Sequence, residues 1–239
     1  LIQGLLQGSI YGLIAVGLTL VYGLLRILHV AHAGLFTLGG YICVIVTNQT
    51  SSFLLAVLTS MILVGLAGMI IYRICYQPIL DQPPFVPLIA SIGLFIAMEE
   101  LFRIFFGAYG LSFTELPLQE PLALMQINLK QAEWITIASS VGFVAMLAFL
   151  ANRTKLGLAW KATVTDPEIA SSFGVNIIQV RYLNFFIGSS LAAVSGCMMA
   201  VLNNLVEPTM GSVPSYKMLA IIVLGGLGNV RGTLIAAVL

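Results

Sequence analysis

Two histidines, His29 and His32, stand three residues apart, a spacing that puts both imidazoles on one helix face where they could share a proton or a metal. Neither has a nearby Cys, Asp or Glu to complete a tetrahedral zinc set, so no metal site is expected. They read instead as a polar pair at the inner end of the first two apolar segments, and His32 is a substrate-path candidate. Glu99, Glu100 and Arg103 interrupt another apolar segment. Ionisable groups inside a bilayer are costly and therefore functional candidates by default. Glu99 and Arg103, at i and i+4, are expected to form a local ion pair. Asn203, Asn204 and Glu207 make a polar step just before Pro208. They could receive the ammonium of a zwitterion, or be ordinary helix-end residues facing water. No Ser, His and Asp set and no paired carboxylates on a cleft emerge, so no covalent chemistry is expected of this chain.

The glycine cluster GGLGNVRG, from Gly225 to Gly232, invites a nucleotide-binding reading that its spacing rejects. A dinucleotide fingerprint needs GxGxxG after a strand, and a P-loop needs Gly-Lys followed by Ser or Thr. None of the four lysines follows a glycine. The chain is expected to bind no cofactor of its own, and Gly225, Gly226 and Gly228 read as a hinge or packing break within a membrane span. Gly4, Gly8 and Gly12, at spacing four, mark a face where a second helix approaches closely. Cys43, Cys75 and Cys197 lie far apart in apolar surroundings and read as packing residues.

The elements that hold these residues must be helices in a bilayer. Hydrophobic residues make up 59% of the 239 positions and charged residues 8%, against roughly 25% charged in a soluble domain. A net charge of +1 leaves no basic footprint for nucleic acid. The run from Leu54 to Tyr72 is apolar on every side, which excludes the alternation of a β-barrel strand. The fold class is therefore all-α, a polytopic membrane bundle of about seven to eight spans. Helices are expected near residues 3–25, 30–47, 53–73, 85–106, 134–151, 183–205 and 216–239. The small residues of AHAGLFTLGGY leave a broken or re-entrant helix as the alternative for the second. The first segment is too long for a signal-peptide core and reads as a retained span. The chain opens without Met and stops inside TLIAAVL, so both ends are expected to be clipped.

Basic residues in short loops are retained on the cytoplasmic side. Arg153, Lys155, Lys161 and Arg181 place their loop there, and counting crossings back adds Arg26 and Arg73. Within this loop, residues 152–182, Asp166 can cap a short helix, Pro167 suits its first position, Glu168 suits its positive end, and Gly174 can take the left-handed terminating conformation. Such a helix is either a plain loop-shortening device or a handle for a partner protein.

The stretch Asp166, Ala170, Gly174, Val175, Asn176 resembles the cytoplasmic loop of ABC importer permeases. GSIYGLIAVGLTLVYGLLRILHVAH, AGLFTLGGY and IIVLGGLGNVRGTLIAAVL sharpen the resemblance to branched-chain amino acid permeases across nearly the whole chain. Two positions depart from that family's usual pattern: Ala33 follows His32 where Gly is usual, and Gly40 replaces Ala. The resemblance implies a single permease domain over residues 1–239 whose coupling helix docks on an ATPase through Asp166, Glu168, Ala170 and Gly174. It implies ABC ATPase subunits carrying ATP and Mg, a second permease subunit, and a periplasmic or extracellular substrate-binding protein. The implied setting is the bacterial inner membrane and the implied cargo Leu, Ile or Val. Alternatives are urea or other neutral amino acids, a proton-coupled secondary transporter working through Glu99 or Glu100, a channel, and an intramembrane enzyme.

Overall fold

A computed structural model describes residues 2–124 and 127–239. Helices α1 (Ile2–Leu25), α2 (His32–Thr50) and α3 (Phe53–Ile71) follow one another closely, and α3 continues through a π turn at Tyr72–Tyr76 and a 3-10 turn at Gln77–Ile79. Next come α4 (Phe85–Phe106), strands β1 (Pro121–Leu124) and β2 (Ile127–Lys130), and α5 (Gln131–Arg153). Helices α6 (Lys155–Thr165), α7 (Pro167–Ser172), α8 (Ile177–Asn203), α9 (Ser212–Gly225) and α10 (Val230–Val238) complete the order.

Five helices among the described residues are long and apolar enough to cross a membrane: α1, α3 with its extension, α4, α5 and α8. The pair α9 and α10 makes a sixth if counted as one span, although its axis turns by 118°. Helix α2, at 19 residues, is about 28 Å long and can reach across a bilayer. It lies outside the apolar set because His32, its small residues and the polar end Thr47–Thr50 lower its apolarity, and protein surrounds much of it, with His32, Gly34, Thr37, Gly39 and Gly40 all buried. Its small residues are contact points: Gly39 lies against Ala193 of α8, Gly34 against Met98 of α4, and Phe36 against Gly196. The broken-helix alternative is therefore not observed; α2 is continuous, and the break lies at 226–229, between α9 and α10.

Helices α1, α2, α3 and α8 form the centre. Bonds from side chains to backbone carbonyls stitch them together, a device suited to a bundle in which lipid is as apolar as the helices themselves. Asn184 donates to the Leu20 carbonyl at 2.8 Å, Ser190 to Met61 at 2.9 Å, and Ser195 to Ile10 at 3.3 Å. Cys43 and Cys197 are buried in this centre and all three cysteines are free.

Two sets of contacts fix which ends share a face. The amide of Asn48, near the end of α2, donates to Ser112 and accepts from the Thr114 N–H, and Leu111 pairs with Val206 beyond α8. At the other end His29 meets Tyr76, and Tyr182 donates to Gln77. Helix α8 thus runs from one face, which carries the Arg153–Arg181 loop, to the opposite face, whereas α2 starts inside the bundle, where His32 and Gly188 of α8 both lie against Gly17 of α1. The 107–133 connection is more ordered than an apolarity reading reveals: β1 and β2 pair antiparallel with Pro121 opposite Lys130 and Leu122 opposite Leu129. Glu133 then accepts from the Lys130 N–H at 2.8 Å to start α5.

Candidate functional site

The loop between α5 and α8 is helical nearly throughout. Thr154 ends one helix and caps the next, its hydroxyl accepting from the Gly157 N–H at 3.2 Å, so α6 begins immediately after α5. Gly157 lies so close to the carbonyls of Leu150 and Ala151 that a Cβ would not fit. Sequence reasoning left these 11 residues as loop; the Thr-x-x-Gly cap and the helix-forming KLGLAWKA run were the available signals. Asp166 then turns the chain. Its Oδ1 accepts from the Glu168 and Ile169 N–H groups, both at 3.0 Å, while Pro167 fills the first helical position. Helix α7 ends where Gly174 takes φ +83°, a left-handed conformation that penalises any Cβ. Asn176 accepts from the Gln179 N–H at 3.1 Å and starts α8.

Within α7 the four residues singled out from sequence divide. Asp166 and Gly174 shape the element, Glu168 is exposed, and Ala170 is only 3% exposed and packs beneath the helix. The surface α7 offers outward is apolar: Ile169 is 57% exposed and Phe173 85%. Those two escaped the sequence reading, although a charged loop carrying isolated large hydrophobics was a usable signal. Behind α6 lies an apolar cavity of about 930 Å³, lined by Leu147, Leu156, Trp160, Leu183 and neighbours.

The remaining candidates are scattered through the bundle and do not converge on one pocket. His32 is fully buried at the start of α2, its Nε2 close to Gly17, and neither ring nitrogen has a partner among the described residues. His29 is equally buried, with Nδ1 2.6 Å from the Tyr76 hydroxyl, and its ring stands 5.6 Å from that of His32. Asn203, Asn204 and Glu207 are exposed at the far end of α8, away from His32, which lies inside the bundle. Asn204 is a left-handed helix cap with φ 54°, the helix-end role that the sequence left open.

The expected Glu99–Arg103 pair is not formed. Arg103 bonds instead to Glu100 at 3.0 Å, one turn back at i and i+3, and both are half exposed. Glu99 points to a different helix and accepts from the Ser212 hydroxyl at 2.6 Å. Helical spacing permits either pair; the approach of α9 to α4 decides which carboxylate is free.

Gly226 and Gly228 take φ +90° and +82°, and Gly225 packs directly on Gly232 and Thr233. The expected final span of 216–239 is thus two helices meeting at a sharp turn. Helix α10 lies along α1: Thr233 and Thr19 share a hydrogen bond of 2.9 Å, and the backbone of Ala237 packs on Gly8.

A core of apolar helices crossing between two faces, with a capped helical loop on one face, defines a multi-pass helical membrane protein. The chain belongs to the branched-chain amino acid transport system / permease component family, whose profile matches residues 1–239. It is 27% identical to the high-affinity branched-chain amino acid transport system permease protein LivH of Salmonella typhimurium, over 99% of this chain and 81% of that one. It is 28% identical to BraD of Pseudomonas aeruginosa, a protein of the same description, over 100% of this chain and 82% of that one. The permease protein LivM of Salmonella typhimurium is 24% identical over 96% of this chain and 59% of its own length. No solved structure matches the chain.

Proposed function

We propose that this chain is a permease subunit of an ATP-binding-cassette importer that moves Leu, Ile and Val across the bacterial inner membrane. The observation that carries the reading is α7: a short helix, fixed by caps at both ends, that presents Ile169 and Phe173 to solvent from a loop joining two membrane helices. Exposed apolar side chains on a rigid element are the anchors by which a partner grips. Asp166 and Gly174 hold the element's shape while Ile169, Phe173 and Glu168 make the contact. ATP and Mg reside on the ATPase, and closure of two such subunits displaces α7 and, through Thr154 and Asn176, the ends of α5 and α8. The nucleotide drives this by binding one state more tightly than the other.

The similarity of this chain to both LivH and LivM supports pairing with a second, related permease subunit. An external substrate-binding protein supplies most of the selectivity. The test is uptake of labelled leucine by proteoliposomes holding the complete complex. Accumulation that needs lumenal ATP and the binding protein, persists with a protonophore, and is competed by isoleucine and valine but not urea is expected. Accumulation without ATP that collapses with the proton gradient overturns the reading in favour of a secondary transporter.

A further inference from the structure

Helix α9 carries a lysine in the body of the bundle. Lys217 is half buried, and its Nζ is drawn to Tyr11 of α1, 3.4 Å from the hydroxyl and 4.4 Å from the ring centre. Tyr11 lies about 21 Å along α1 from its end at Leu25, at 1.5 Å per residue, so the ammonium sits beside the body of this helix. Among the described residues the one ion pair is Arg103 with Glu100, and Lys217 has no carboxylate within reach. A phenol and a π face partly solvate a cation but do not neutralise it. An intramembrane cation of this kind faces a watered path or a ligand, because hydrocarbon would not tolerate it.

The surroundings point to a path. Gln3, Gln7 and Tyr11 recur at i, i+4 and i+8, so they form one polar stripe down α1 that ends at Lys217. Gln3 and Gln7 are exposed. On α9, Val213, Tyr216, Lys217 and Ala220 share a face by the same spacing, and Val213, Tyr216 and Ala220 are exposed. The seam of α1 and α9 thus offers amides, then a phenol, then an ammonium, beside an apolar strip.

On the basis of the transport reading above, we infer that Lys217 binds the α-carboxylate of the amino acid in transit, with Tyr11 holding the ammonium in place and the α9 strip accepting the aliphatic side chain. A carboxylate completes the cation's missing partner, and an ammonium gives a carboxylate a compact donor without the two-point grip of an arginine, which suits a site that must release its ligand.

Two measurements on the assembled complex test this. Acylation of Lys217 by a water-soluble N-hydroxysuccinimide ester, mapped by mass spectrometry without the binding protein present, should slow at least threefold in 4-methylpentanoate, which keeps leucine's skeleton and carboxylate, and not in 4-methylpentanamide. Equal rates with the two compounds, or a lysine the reagent never reaches, overturn the inference. Lys217→Gln should lower leucine uptake at least tenfold with permease and ATPase still co-purifying. Wild-type uptake matched by Lys217→Gln overturns the carboxylate site alone, whereas a wild-type complex that takes up no leucine overturns the transport reading itself.

Discussion

At the scale of single residues, Asp166 does two jobs that substitution can separate. As a cap it satisfies two backbone N–H groups; as a charge it could meet a partner. Asn caps nearly as well as Asp, while Ala does not, at a cost of about 1 kcal/mol. Asp166→Asn is therefore expected to keep leucine uptake within about twofold, and Asp166→Ala to lower it about fivefold; equal losses in both would mean that the charge, not the cap, matters. Ile169→Asp or Phe173→Asp should release the ATPase in co-purification with permease yield unchanged, since each removes an apolar anchor worth about 2 kcal/mol when buried by a partner. The cap signals around Asp166 and Gly174 were legible in sequence because capping is decided within four residues of chain. The choice of Glu100 over Glu99 for Arg103 was not, because it depends on Ser212, more than a hundred residues away.

At the scale of elements, the turn between α9 and α10 illustrates the same division. Glycines at 225, 226 and 228 announce a break, yet its angle is set by α1: Thr19 receives Thr233, and Gly8 makes room for Ala237. The pair Thr19→Cys and Thr233→Cys is expected to form a disulfide on mild oxidation, since the two side chains meet, with their hydroxyls 2.9 Å apart. Each single variant supplies the control, and a double variant that stays unbridged would favour a straight final span. Gly226→Ala and Gly228→Ala should each destabilise the hairpin by about 1 to 2 kcal/mol through backbone strain, read as a lowered melting temperature in detergent. In α2, by contrast, a cluster of small residues left a break open as the alternative to the expected helix, and those residues serve close packing; composition alone does not distinguish the two, because both need the absence of a side chain.

At the scale of the whole molecule, apolar composition dictated an all-helical bundle, and the basic residues predict an orientation with the Arg153–Arg181 loop on the cytoplasmic side. Tyr109 is 94% exposed on one face, and Phe173 lies on the other. In intact cells an impermeant maleimide should label Tyr109→Cys, and should reach Phe173→Cys only after permeabilisation; the reverse pattern would invert the molecule. The position of α2, encased by protein, and the absence of convergence among His32, Asn203, Asn204 and Glu207 were illegible in one dimension, since both follow from which helices enclose which.

On the proposed reading, α7 transmits work between ATP hydrolysis on a partner and movement of this bundle. The most direct measurement follows ATP hydrolysis and leucine uptake together in proteoliposomes carrying the complete complex with Phe173→Ala. Uptake is expected to fall at least tenfold, and the stimulation of ATP hydrolysis by the loaded binding protein to be lost with it. Uptake and stimulation both at wild-type levels would contradict it.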